Sequence, residues 1–275
     1  MLASGILSEI LMSAPLFLLL AVRALAMIEV APMLSSDSIP QVAKIALAGF
    51  AAFAVMPTAG SEWRSIPGLN DGFFTLGFLL MILGEALIGI TTGFFMTIIF
   101  AAFSTAGQFF SLQMGWSASE TFDPLAQIEN PLLGQFLNLV AMLTFLAVGG
   151  FYKMFLGGFW RSVQALNMTE LIAGRNILVQ MIAGGLTRLF FDAMIISLPI
   201  LGSLFLSTLA TGLISKAAPQ INMMSEGFPI STTVAFVLLI AIFPFMIESF
   251  ARVIEAGFAS MENLLIEAGG GIRTG

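Results

Sequence analysis

The chain has 275 residues, 58% of them hydrophobic and only 9% charged. Soluble domains carry about 25% charged residues, so this composition points to an integral membrane protein or a part of an apolar assembly. A net charge of -6 argues against a nucleic-acid partner, which needs a basic stripe, and zero Cys with zero His excludes a thiol nucleophile, histidine-ligated zinc and His acid–base chemistry.

The length could supply about six spans of roughly 20 residues. The first basic residue is Arg23, so the basic n-region of a cleavable signal peptide is missing. Insertion is therefore expected to use internal apolar segments. The first apolar run is Met12 to Leu34, holding Pro15, Arg23 and Glu29. A turn at Ser35 to Pro40 follows, with Ser and Asp as candidate N-caps. The second run, Val42 to Met56, is short for a span and predicts either half of a broken helix or a buried segment. Thr58 to Asp71 is a polar connector with Trp63, Arg64 and a Pro67-Gly68 turn signal.

The third run, Phe73 to Phe103, is longer than one perpendicular crossing needs. It holds Glu85, with no basic residue nearby in sequence. A carboxylate in an apolar run is expensive, so Glu85 is either a proton or cation site or a polar contact between helices. Arg23, Glu29, Lys44, Asp192 and Glu248 are the charges that could share contacts with it, and spacing assigns no pairs. Gly89 and Gly93 have GxxxG spacing, which lets helix backbones approach closely.

Thr105 to Pro131 lies between two apolar runs and is not an ordinary hydrophilic loop. Phe109, Phe110, Met114, Trp116 and Phe122 alternate with small and amide residues, and Asp123-Pro124 is a turn signal. A loop this apolar is costly in water, so it is expected to pack inside a larger structure as either a buried connector or a gate.

Leu132 to Phe159 is the fourth run, with paired glycines at Gly149-Gly150 and Gly157-Gly158. Trp160 to Arg188 is more polar and predicts an interfacial helix near Leu171 to Ile182. The fifth run, Leu189 to Ala218, carries Asp192 and Pro199, and Pro219 is expected to end it, with Gln220 and Asn222 bonding the freed backbone groups. The sixth run is Phe228 to Ile247. Beyond it Phe250, Val253, Ile254, Gly257, Met261, Leu264 and Leu265 follow helical spacing opposite an acidic stripe of Glu248, Glu255 and Glu262. Glu248 and Arg252 can pair at i,i+4. There is no Walker loop, dinucleotide fingerprint or paired-carboxylate site, so neither an enzyme nor a bound cofactor is expected. The runner-up function from these residues is a secondary transporter, with a cation on Glu85 and broken helices at Pro199 and Pro219.

Taken together, Arg23, Ala31-Pro32, Ile39-Pro40, Glu85, Gly89, Gly93, Gly107, Gln113-Met114-Gly115, Asp123-Pro124, Pro219-Gln220-Ile221-Asn222, Gly227 and Pro229 stand in an order and spacing that resembles the FliR family. This family is a component of the flagellar type III export gate, called SctT in virulence-type systems. Two departures stand out: Val148-Gly149-Gly150-Phe151 lies where members often carry an Asn-Gly-His turn, and Lys216 replaces the usual Arg.

The resemblance implies an all-α, integral-membrane-type helical subunit with broken helices and helical hairpins. A FliP-like part (residues 1–188) would precede a FliQ-like hairpin with an amphipathic tail (189–275). It implies FliP and FliQ as partners in a hetero-oligomeric gate, FlhB as a further partner, FlhA nearby, unfolded proteins as substrates and contact with membrane lipid. The place would be the bacterial inner membrane, in the flagellar basal body. Residues 111–124 would be a plug in the pore, drawing on Phe109, Phe110, Gln113, Met114, Gly115, Trp116, Phe122, Asp123 and Pro124. Glu85, Gly89, Gly93, Pro219, Gln220 and Asn222 would serve helix packing or buried polar contacts.

Overall fold

The structure is a computed structural model and describes residues 2–59, 63, 75–114, 132–166, 176–217 and 223–270. Every described element is helical, as long apolar runs without period-two alternation require. In chain order these are α1 (Leu2–Val30), α2 (Gln41–Val55) with a single 3-10 turn at Met56–Thr58, α3 (Leu76–Met114), α4 (Leu132–Ala147), α5 (Gly150–Ala165), α6 (Asn176–Ala217) and α7 (Met223–Gly270). Among the described residues, five helices are long and apolar enough to cross a membrane, or six if the bent pair α4–α5 is one span.

Several boundaries differ from the sequence expectation, each for a packing reason. Helix α2 starts after Pro40 with no side-chain cap. Its buried Lys44 instead holds the α1–α2 turn, donating to Glu29 (3.1 Å) and to the Ser35 carbonyl (3.3 Å). Within this chain the helix is covered on one face only: Ala48, Ala51 and Ala52 are buried, and Phe50 and Phe53 are each 70% exposed. Helix α3 does not stop near Phe103. Ala106, Phe110 and Met114 continue the buried stripe of Ala102 and Phe103, and that burial carries the helix past Ser104, Gln108 and Gln113. The expected fourth run is interrupted at Val148–Gly149, where Gly149 takes φ +68°. That is a left-handed conformation available to glycine at little cost.

Helix α6 runs through both Arg188 and Pro199, so the expected break at Pro199 is absent. Of the expected interfacial helix, residues 176–182 are the first turns of α6, and 171–175 lie outside the described residues. The sixth run and the amphipathic tail are one 48-residue helix, α7, with Pro229 and Pro244 inside it. On α7, Phe250, Val253, Ile254, Met261 and Leu265 are buried and Glu248 and Glu255 exposed, the faces that helical spacing assigns. Arg252 donates to Glu248 at 3.0 Å.

The chain forms two compact units. One contains Met1–Ile98, Gly149–Gly185 and Ala256–Gly275, the other Ile99–Val148 and Leu186–Glu255. In the first unit, Leu19, Leu20, Met27 and Ile28 of α1 pack into a core with Ile88 and Met96 of α3, Phe159 of α5 and Met261 of α7, all at 2% exposure or less. The second unit has an aromatic core. Phe100 lies edge-on to Phe145 at 5.3 Å between ring centres, and Phe103 is tilted against Phe250 at 4.5 Å. Such pairs add about 0.5–1.5 kcal/mol each beyond their burial.

Candidate functional site

Two places concentrate the residues singled out by sequence. The first is a polar corner in the first unit. Helix α3 presents Glu85, Gly89, Gly93 and Thr97 at intervals of four, one face of the helix. A Cβ on Gly89 would collide with the Arg23 carbonyl, and one on Gly93 would lie 2.6 Å from the Met27 carbonyl oxygen. The α1 and α3 backbones therefore touch, and Thr97 seals the contact by donating to the Val30 carbonyl at 2.7 Å.

One turn along, this contact presses Arg23 against Glu85. Arg23 is 0% and Glu85 1% exposed. Arg23 Nε and Nη2 both reach Glu85 Oε2, at 2.6 and 2.5 Å. Nη2 also donates to the Leu166 carbonyl at 2.8 Å, and Nη1 to Ser162 Oγ at 3.4 Å. The guanidinium carbon lies 5.2 Å from the centre of the Trp63 ring, whose Nε1 donates to the Val163 carbonyl at 3.1 Å.

One cation thus ties α1 and α3 to the end of α5, and each guanidinium nitrogen faces an oxygen. A buried ion pair depends on partners for its remaining hydrogen-bond capacity, and here Ser162 and the Leu166 carbonyl take N–H groups that Glu85 does not. This arrangement also answers what Glu85 does: its charge is matched by Arg23. That leaves no open carboxylate for the cation-coupling role of the transporter reading, which also loses its helix break at Pro199.

The second place is where α3 meets α4 in the other unit. Phe109 is half-buried, Phe110 and Met114 are buried and Gln113 is exposed. All four are helical, so residues 111–114 of the expected plug loop belong to α3. A Cβ on Gly107 would run into the backbone of Gly134 and Leu133, and one on Gly134 would sit 3.0 Å from the Ser104 carbonyl oxygen. Nearby in sequence, Ser111 Oγ and Asn138 Oδ1 are buried with no hydrogen-bond partner among the described residues. Gly115, Trp116, Phe122, Asp123, Pro124, Pro219, Gln220 and Asn222 lie outside the described residues.

Sequence reasoning named Trp63 only as part of a polar connector and did not single out Ser162 or Gly134. Trp63 and Ser162 act on partners 100 and 139 residues away, so no local pattern marks them. Gly134 had a usable signal, because Gly107 was already among the residues of the family resemblance and a close helix contact needs a small residue on each side.

Comparison with known proteins places these features. The family described as bacterial export proteins, family 1, matches residues 14–257. The flagellar biosynthetic protein FliR of Escherichia coli K12 is 32% identical over 256 residues, 89% of this chain and 89% of that protein. FliR of Bacillus subtilis 168 is 29% identical over 257 residues, 93% of this chain and 96% of that protein. The surface presentation of antigens protein SpaR of Shigella sonnei is 28% identical over 156 residues, 56% of this chain and 59% of that protein.

Proposed function

This chain belongs to family 1 of the bacterial export proteins, the FliR family, and on that premise we propose that it helps form and close the channel through which unfolded flagellar export substrates cross the inner membrane. Its role lies in the flagellar export gate, in a membrane and beside the gate's other components; it is a transport subunit and not an enzyme. A flagellar rather than virulence-type assignment is favoured because the FliR relatives match over far more of their length than SpaR does.

The observation that carries the assembly reading is the length of exposed apolar surface. On α3 it extends from Leu76 (74% exposed) to Leu112 (61%), and on α6 from Val179 (65%) to Leu213 (69%). At 1.5 Å per residue these stretches cover about 54 and 51 Å. The hydrocarbon core of a bilayer is about 30 Å thick, and a tilt of about 40° lengthens the path only to about 39 Å. Lipid therefore covers part of each helix, and other protein must cover the rest.

In this reading FliP and FliQ supply that cover, with FlhB as a further partner and FlhA nearby, in the basal body. Residues 1–188 correspond to a FliP-like part, and the long helices α6 and α7 supply the FliQ-like hairpin of 189–275. The plug follows Met114: Gly115, Trp116 and Phe122 close the pore by excluding water, as hydrophobic constrictions do, with Asp123-Pro124 leading into the next helix. Phe109, Phe110, Gln113 and Met114 form the helical root from which it projects.

Co-expression tests the assembly. The chain should be recovered with FliP and FliQ and degrade when made alone, whereas stable purification by itself would remove the reading. Deleting Gly115 to Phe122 should raise ion conductance of the reconstituted complex several-fold. Unchanged conductance in a complex that still assembles would sink the plug.

A further inference from the structure

Helix α5 changes its hydrogen-bond register partway along. From Lys153 to Trp160 its turns widen to i→i+5 bonding, and the Arg161 N–H is shared between the carbonyls of Leu156 and Gly158. Such π turns occur mostly singly inside α-helices, often at functional positions. Eight residues in succession are unusual and need support from their surroundings.

That support is concentrated at one end. The Trp160 indole donates to Thr58 Oγ1 at 3.0 Å, and Arg161 pairs with Glu262 at 2.7 Å. The oxygens of Ser162 and Leu166 accept from Arg23, and the Val163 carbonyl accepts from Trp63. The other end begins at the left-handed Gly149, where an added Cβ would meet nothing within 4 Å, and Tyr152 beside it is 72% exposed.

The middle carries two glycines in different surroundings. A Cβ on Gly157 would meet nothing within 4 Å, and one on Gly158 would meet the methyl ends of Met96 and Met261. Methionine is the side chain best able to adapt to a shifted neighbour, and glycine has little preference that would tie the backbone to one register.

We propose that Lys153–Trp160 is a register joint. When its wide turns tighten to α-helical bonding, the residues on the Gly149 side slip by one position, a rotation of about 100° and an advance of about 1.5 Å. Trp160 to Leu166 stay held by Arg23, Trp63, Thr58 and Glu262. The slip therefore moves Gly149 to Tyr152 without dismantling the anchored corner. Its use in gating rests on the export reading above, whereas the two registers are a property of this chain.

The absence of cysteine allows spin labels at Tyr152→Cys and Ala259→Cys, both exposed positions, to be unique within the chain. Distances between them, measured by pulsed electron resonance in the assembled complex, should differ by several ångström between idle and substrate-occupied states. Deleting Gly157 removes the extra residue, so the idle complex should then show only the tightened distance and export should be lost. One distance in both wild-type states, or export at the wild-type rate after the deletion, would overturn the joint. If the deletion prevents assembly, the wild-type distances decide alone. A wild-type complex that carries no substrate removes the export reading instead, and the shift between the idle wild type and the deletion still tests the joint.

Discussion

The corner around Arg23 and the meeting of α3 with α4 around Gly107 are both buried, yet different forces hold them. In the corner, two carbonyls, a hydroxyl and a carboxylate each take a bond from Arg23 or Trp63. A satisfied network of this kind has one good geometry, and losing a member leaves its partner stranded. Around Gly107, glycine backbone meets glycine backbone in a unit whose ring pairs are edge-on and tilted, and Ser111 Oγ and Asn138 Oδ1 have no hydrogen-bond partner among the described residues. The comparison teaches that directional bonds set a frame in one unit, while shape alone holds the root of the proposed plug in the other.

Glu85→Ala breaks this contrast most severely. It strands a fully buried guanidinium, at a cost of about 3–5 kcal/mol. The loss should appear as a lower unfolding temperature of the purified complex and as less chain in the membrane. Replacing both partners, Arg23→Met with Glu85→Leu, should recover most of it, because an apolar pair leaves no charge to compensate. A double variant as poor as the single one would show that stranded charge is not the cause.

Gly107→Ala tests the other region. Its Cβ must push apart α3 and α4, and overpacking of this kind costs about 1–3 kcal/mol. The same unfolding measurement reads it, and no change at all would mean that the glycine contact is not close. The smallest effect is expected from Arg252→Ala, which removes an ion pair to Glu248 whose side chains are both 65% exposed. It should cost less than about 0.5 kcal/mol and vanish at high salt. A larger loss would contradict the ranking of buried over exposed charge on which the comparison stands.

Much of this fold is legible in the order of the residues. The apolar face of α7 and its i,i+4 ion pair follow from spacing within a few turns. So does the helix start near Leu132, after Pro131. The misjudged boundaries share a cause. Ser104, Gln108, Ser111 and Gln113 made the end of α3 look like a loop, because local polarity does not report the buried stripe of Ala106, Phe110 and Met114 on the other face. Pro199 looked like a break because local rules count the lost backbone bond and not the surroundings that tolerate it.

The sequence by itself determined the class of the molecule: a helical, membrane-type export subunit, read from 58% apolar residues and from motifs spread along most of the chain. It also determined that Glu85 needed an explanation. Only the tertiary structure decided that the explanation is Arg23, 62 residues away. It alone decided that α3 continues to Met114, where α4 gives way to α5 and which turns of α5 are wide. The division has a physical basis. Hydrophobic periodicity is a property of neighbours along the chain, whereas a buried charge, a glycine-to-glycine contact and a π turn exist only because something distant in sequence arrives to complete them.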